Sequence, residues 1–276
     1  MSRGVRLSDS ALAPELVYDL ASILKLSDRA FIVGGQALNL WAERYSHVGE
    51  LAAYGPYTSK DLDYFGHRQA AEKLASALNG TVFIPAGDNH TPQTAIVKAV
   101  VDEQHVEIDF LYHVKGVRSA SLEKQAVEII LTVRVGGRIG DLHVPIMHPL
   151  HCMQSRLANV VELGRRTDLA KRQLEASSIV LREFLSERLA DGGHKHVVGV
   201  LQALHDYLLT DATGKKAHRE MENDPAAILD FFQDDDRLDE RWRQMSLRSM
   251  REKIADRRTA WGMMRARLRQ VFGQTT

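Results

Sequence analysis

The sequence predicts a mixed α/β front half joined to an all-helical back half. Three observations carry that reading. Short β-type apolar runs alternate with helical patterns as far as about residue 146. After Pro149 the apolar residues recur only at helical spacing. No internal repeat, low-complexity tract or Pro/Gly-rich linker interrupts the 276 residues. Two domains follow, 1–147 with a mixed β-sheet and 148–276 built of helices.

The elements come in this order. Residues 9–26 read as an amphipathic helix, with Leu12, Leu16, Leu20 and Ile23 on one stripe. AFIVGG (30–35) is a short buried strand stopped by glycines, and QALNLWAERY (36–45) the helix after it. SHVGELAAYGPY reads as a loop, and DLDYF (61–65) as a second strand. A helix over 67–79 ends at Asn79-Gly80. Strands at 81–85, 94–101 and 105–112 follow, the last two turning at Asp102-Glu103. IILTVRVGGRIGDLHVPI (129–146) is a further hairpin around Gly136-Gly137. Helices are then expected at 148–162, 168–190, 195–209, 224–233 and 245–271.

Composition sets outer bounds. Apolar content of 44% and charged content of 26% suit a chain that buries a core. The lone Cys152 excludes an internal disulfide and fits a reducing cytoplasm. No window reaches the roughly 18 apolar residues of a membrane span, and the start of the chain does not read as a signal peptide. A cytoplasmic protein without a membrane partner is expected. Net charge is zero but uneven. Residues 1–113 hold 9 basic and 14 acidic side chains, a net of −5, against 27 and 22 in the remainder, a net of +5. An acidic front and a basic back suit a metal-binding part joined to a part that meets an anion, although solvated helix faces give the same balance.

The unusual residues are carboxylates on strands. Alternation puts Asp61 and Asp63 on one face of DLDYF, with Leu62 and Tyr64 on the other. It likewise puts Glu107 and Asp109 on one face of HVEIDFLY. Carboxylates from two strands can converge on hard cations, since Mg²⁺ takes oxygen ligands from few carboxylates plus substrate phosphates. Two such ions about 3.5–4 Å apart can serve a phosphoryl displacement. Gly34 and Gly35 stand between a strand and a helix, where glycine permits close approach and helix-start N–H groups can meet phosphate. Thr58 and Ser59 add hydroxyls.

In this order, strand, Gly-Gly, helix, Ser-x-Asp-x-Asp and a later strand Asp, the chain resembles the polymerase-β-like nucleotidyltransferase superfamily. GGQALNLWAERY, TSKDLDYFG and HPLHCMQSRLANVVELGRRTDLAKRQLEA are similar to its AbiEii-type members, many of them toxins of toxin–antitoxin or phage-defence systems. The resemblance spans roughly residues 25–175 and is specific at superfamily level in the front motif alone. It implies that Gly34, Gly35, Ser59 and Lys60 hold an NTP, and that Asp61 and Asp63 bind two Mg²⁺ (or Mn²⁺) ions. It implies Asp109 as third metal ligand and as the group that takes the acceptor proton, with Arg156 or Lys171 on the triphosphate. Transfer of NMP to an acceptor hydroxyl follows, with tRNA as acceptor and an antitoxin protein as partner among the implications. Transfer to a small molecule or protein, and a non-catalytic nucleotide- or RNA-binding module, are the alternatives. The chain departs from the family in its longer stretch between Gly35 and Asp61, in Gly35 where many relatives have serine, and in Gln154 and Arg156 where relatives often carry a lysine.

Other clusters read as structural. HPLHC (148–152) lacks the second ligand pair of a zinc site and reads as a helix start with surface histidines. HKH (194–196) is a solvated helix start, and GGRIGD lacks the Lys-Ser/Thr of a phosphate loop. Acyl transfer has no Gly-x-Ser-x-Gly behind it. The basic run RWRQMSLRSMREKIADRRTAWGMMRARLRQ either meets RNA phosphates, with Trp242 and Trp261 stacking, or packs Met245, Leu247, Met250, Ile254, Met263 and Leu268.

Overall fold

A computed structural model describes residues 12–55, 61–85, 91–135, 138–259 and 264. The chain divides into two compact units, one ending at Asn159 and the other starting at Val160.

The first unit is built on a seven-stranded mixed sheet of order β3-β4-β5-β2-β1-β7-β6. Helix α1 (Pro14–Ala21) starts on a proline, which needs no hydrogen-bond acceptor at a helix's first position. It is shorter than the span expected from the sequence. β1 (Phe31–Val33) runs directly into α2 (Gly34–Arg44). The stretch expected as a loop carries a helical turn, α3 (Gly49–Ala52), because Leu51 is buried and pins it. β2 (Leu62–Phe65), α4 (Arg68–Ala77) and β3 (Thr81–Phe83) follow. Beyond α4, Asn79 adopts a left-handed conformation and the Gly80 N–H donates to the Ala75 carbonyl at 2.8 Å, an asparagine-capped helix stop.

β4 (Gln93–Val101) and β5 (Gln104–Leu111) form the expected hairpin. Asp102 and Glu103 both have positive φ, the signature of the tight turn that matches strand twist. After α5 (Ser119–Lys124), β6 (Val127–Val135) and β7 (Arg138–Ile146) pair along their full length. Their glycine turn lies outside the described residues. α6 (Pro149–Val161) carries the chain across the division, which falls near its end.

The centre of the sheet sets the register that matters. β1 is antiparallel to β2 and parallel to β7, while β2 is parallel to β5. Phe31, Ile32 and Val33 are all buried, as expected of a strand covered on both faces. Aromatic pairs lock the alignment: Phe31 stacks on Phe65 with ring centroids 5.0 Å apart, and Tyr64 on Phe110 at 5.3 Å. The Tyr64 hydroxyl donates to the Leu20 carbonyl, tying α1 to β2. The Trp41 indole donates to the Met147 carbonyl at 2.9 Å, tying α2 to the end of β7.

The second unit is helical. α7 (Asp168–Ala190) is capped by Thr167, whose hydroxyl accepts from the Ala170 N–H. α7 buries Leu174, Ile179, Phe184 and Leu189, and α8 (His194–Thr210) buries Val197, Leu201, Leu204 and Leu208. Two short helices, α9 (Ala217–Glu220) and α10 (Ala226–Phe231), follow. A π-helical stretch over Trp242–Leu247 then runs into α11 (Arg248–Arg258). The buried Glu175 carboxylate accepts from the N–H groups of Glu222 and Asn223, which satisfies a charge in the core. Of the apolar residues expected on the last helix, Leu247 and Ile254 are buried, whereas Met245 is exposed. No helix among the described residues is long and apolar enough to cross a membrane.

Candidate functional site

The carboxylates meet at the middle of the sheet. Parallel pairing of β2 with β5 places Asp63 opposite Asp109, one step from the stacked Tyr64–Phe110 pair. Because strand side chains alternate, Tyr64 and Phe110 enter the core while Asp63 and Asp109 emerge on the other face. On the opposite flank, Val33 pairs with Asp63, so the residue after Val33 sits beside the same carboxylate. That residue is Gly34, with φ of +73°, and a Cβ built there would stand 2.7 Å from Asp63 Oδ2. Glycine is required twice over, by the left-handed backbone and by the close approach. The start of α2 is thereby held against Asp63, and no side chain caps that helix.

Asp109 is the constrained member. Its Oδ2 accepts from the Gln93 amide at 2.9 Å, while its Oδ1 is buried and accepts no hydrogen bond. Burial pushes the Asp109 carboxyl up, and the charges of Glu107 and Asp61 push it further, against the Gln93 hydrogen bond and Lys98. A buried carboxylate oxygen without a donor is costly unless something positive or a proton meets it. Sequence reasoning missed Gln93. A β-bulge between Gln93 and Ala95 shifts the register of β4 against β5 at this point. Thr94 is anchored there, its hydroxyl donating to the carbonyls of Gly66 and Phe110. Composition carries no signal of such a bulge.

The remaining expected residues fare differently. Asp61 lies just ahead of β2, exposed, and is felt electrostatically by Asp109. Ser59 and Lys60, with Thr58, lie outside the described residues. Gly35 is in the first turn of α2. Arg156 lies on α6 in the first unit, half-buried, near enough to Cys152 to act on it electrostatically. Lys171 is exposed on α7 and belongs to the second unit.

A divalent cation can be tested against these residues. Asp63 and Asp109 offer carboxylate oxygens, the ligand type hard cations take, and Asp109 Oδ1 has no hydrogen-bond partner. Asp63 and Asp109 fit such an ion as a pair. Among the described residues no three His, Cys, Asp or Glu side chains stand together as a metal cage, so a preformed triad with Asp61 is not what the fold provides.

Two further features lie elsewhere in the first unit. A cavity of about 470 Å³ lies along α2, lined by Gln36 and Asn39 with Val17, Leu40 and Leu51. The HPLHC histidines, expected at the surface, are buried: His148 accepts from the Leu150 N–H, and burial pulls His151 down to about 4. They pack the start of α6.

No family model, no curated protein and no solved structure matches the chain.

Proposed function

We propose that the chain is a Mg²⁺-dependent nucleotidyltransferase that moves an NMP from an NTP to an acceptor hydroxyl. The observation that carries this reading is the in-register pair Asp63–Asp109 beside Gly34, with one Asp109 oxygen buried and unpartnered. Asp63 and Asp109, with Asp61 joining them, would hold the metal. When bound, Mg²⁺ supplies neutralisation of the triphosphate charge.

The chain's own residues do the rest. The uncapped start of α2 presents N–H groups to phosphate beside Asp63. Asp109, raised by burial, is a better base than an exposed aspartate and takes the proton of the attacking hydroxyl. The acceptor oxygen bonds to the α-phosphorus, the α–β bridging bond breaks, and pyrophosphate leaves with the electron pair. Gln93 keeps Asp109 oriented through this exchange. The acceptor class rests on the resemblance alone, which favours RNA, tRNA included, and a toxin role opposed by an antitoxin.

The test is incubation with each α-labelled NTP, Mg²⁺ and total RNA, protein or small hydroxylated acceptors. Label entering the RNA fraction with wild type, and absent with Asp61→Ala plus Asp63→Ala, supports the reading. Label in the protein or small-molecule fraction keeps the chemistry and changes the acceptor. No label in any fraction, with NTP binding intact, overturns it in favour of a non-catalytic nucleotide-binding module.

A further inference from the structure

The two flanks of α11 treat their charges differently. One flank borders a cavity of about 460 Å³ in which every arginine is matched: Arg248 with Glu252 at 2.9 Å, Arg251 with Asp230, and Arg258 with Asp224 at 2.5 Å. The other flank borders a cavity of about 390 Å³ rimmed by Lys215, Lys216, His218, Arg219, Arg257 and Arg258. Among the described residues no acidic side chain lines it. Of these cations only Arg258 has an ion pair among the described residues. Lys215, His218, Arg257 and Arg258 are half-buried, while Lys216 and Arg219 are exposed. An ordinary solvated face would let such charges swing away from one another or toward acids, as the neighbouring flank does.

The floor of this cavity is apolar, made by Leu208, Ala212 and Ile254. Burial, then the charges of Arg258 and Arg219, hold the His218 imidazole below the usual range, against the opposing pull of Asp224 and a hydrogen bond with the Lys215 backbone. Clustered cations around a small apolar floor suit a flexible polyanion that carries apolar faces. Phosphates meet the rim and an unstacked base covers Leu208, Ala212 and Ile254, with no aromatic side chain among the described lining residues. A duplex keeps its bases stacked inside and leaves such a floor empty, and inorganic phosphate uses the rim alone.

We infer that the second unit binds single-stranded nucleic acid in this cationic cavity between the end of α8, α9 and α11. The inference rests on residues of that unit only, and does not require the carboxylate site to be catalytic.

The experiment is fluorescence anisotropy of a labelled 12-nucleotide strand, RNA or DNA of one sequence, titrated with the full chain at 50–200 mM KCl. The triple variant Lys215→Ser, Lys216→Ser, Arg219→Ser is compared with Arg118→Ser, Lys124→Ser, Lys195→Ser, which removes the same charge from exposed positions elsewhere. Thermal melting of both variants verifies that they fold. The pocket variant is expected to bind at least about tenfold more weakly, with a shallower salt dependence. The slope drops by about 0.7 for each phosphate that is no longer neutralised. RNA tighter than DNA, or the two alike, both agree with the inference. Equal weakening by the control variant overturns it, as does complete displacement of the strand by ATP at matched phosphate concentration. Absence of binding by wild type at 50 mM KCl also overturns it. Strand binding without label transfer, or label transfer without strand binding, keeps a failure here separable from a failure of the transferase reading.

Discussion

The two units concentrate charge by opposite means. In the first, strand register does it: pairing of β2 with β5 brings Asp63 and Asp109 opposite each other, and pairing with β1 brings Gly34 against them. Backbone hydrogen bonds and stacked aromatics hold those positions whatever the carboxylates prefer. In the second, charges gather where short helices meet the flank of α11, and the side chains carrying them are long. A sheet fixes like charges with little freedom to separate, which suits chemistry at a point. Helix ends leave cations adaptable, which suits a flexible polyanion.

The contrast can be broken first at the strands. Asp63→Asn or Asp109→Asn is expected to lower transfer by about 10²–10³-fold while the fold survives, read from labelled-NTP turnover. If the register argument is correct, Glu107→Gln on the same strand should cost far less, since that side chain pairs with Lys98.

Gly34→Ala comes next. A left-handed alanine costs roughly 1–2 kcal/mol, and its Cβ would push on Asp63 Oδ2. Urea denaturation should show the destabilisation and turnover should fall with it. Unchanged turnover would mean that Asp63 need not sit where it does.

Gln93→Leu sharpens the role of the bulge. Loss of one orienting hydrogen bond is expected to reduce turnover by about 10–100-fold. Gln93 lowers the Asp109 carboxyl, so its removal raises that group further and moves the acid limb of the pH–rate profile to higher pH. An unmoved limb would assign the base role elsewhere.

The smallest effect concerns stability. The folded state raises Asp109 above its unfolded range and therefore binds the proton more tightly. Its stabilising share is complete below the unfolded carboxylate range and is lost as pH rises through the raised value. At neutral pH the ionised group costs stability, so Asp109→Asn should melt slightly higher than wild type, and the difference should vanish in acid. Melting curves at pH 7 and pH 3 decide it.

Much of the fold is legible in the chain. The β4–β5 hairpin follows from alternating apolar residues around Asp102-Glu103, and the end of α4 from Asn79-Gly80. α7 covers the span 168–190 expected from the helical spacing of its apolar residues. Other elements were hidden. The turn at Gly49–Ala52 depends on Leu51 finding a buried seat, and the burial of His148 and His151 depends on what packs over α6. Neither can be read from spacing, because burial is a property of neighbours distant in the chain.

The same division holds at the candidate site. The sequence determined by itself that Asp61, Asp63 and Asp109 lie on or beside strands, that Gly34 ends a strand, and that the last helix is rich in arginine. Local periodicity and turn chemistry suffice for that. Tertiary structure alone decided that Asp63 faces Asp109 across a parallel pair, that a bulge supplies Gln93, and that one flank of α11 is neutralised while the other is not. Those outcomes depend on register and on which long-range pairs form, and a one-residue shift of either strand would have turned its carboxylate into the core and away from the other.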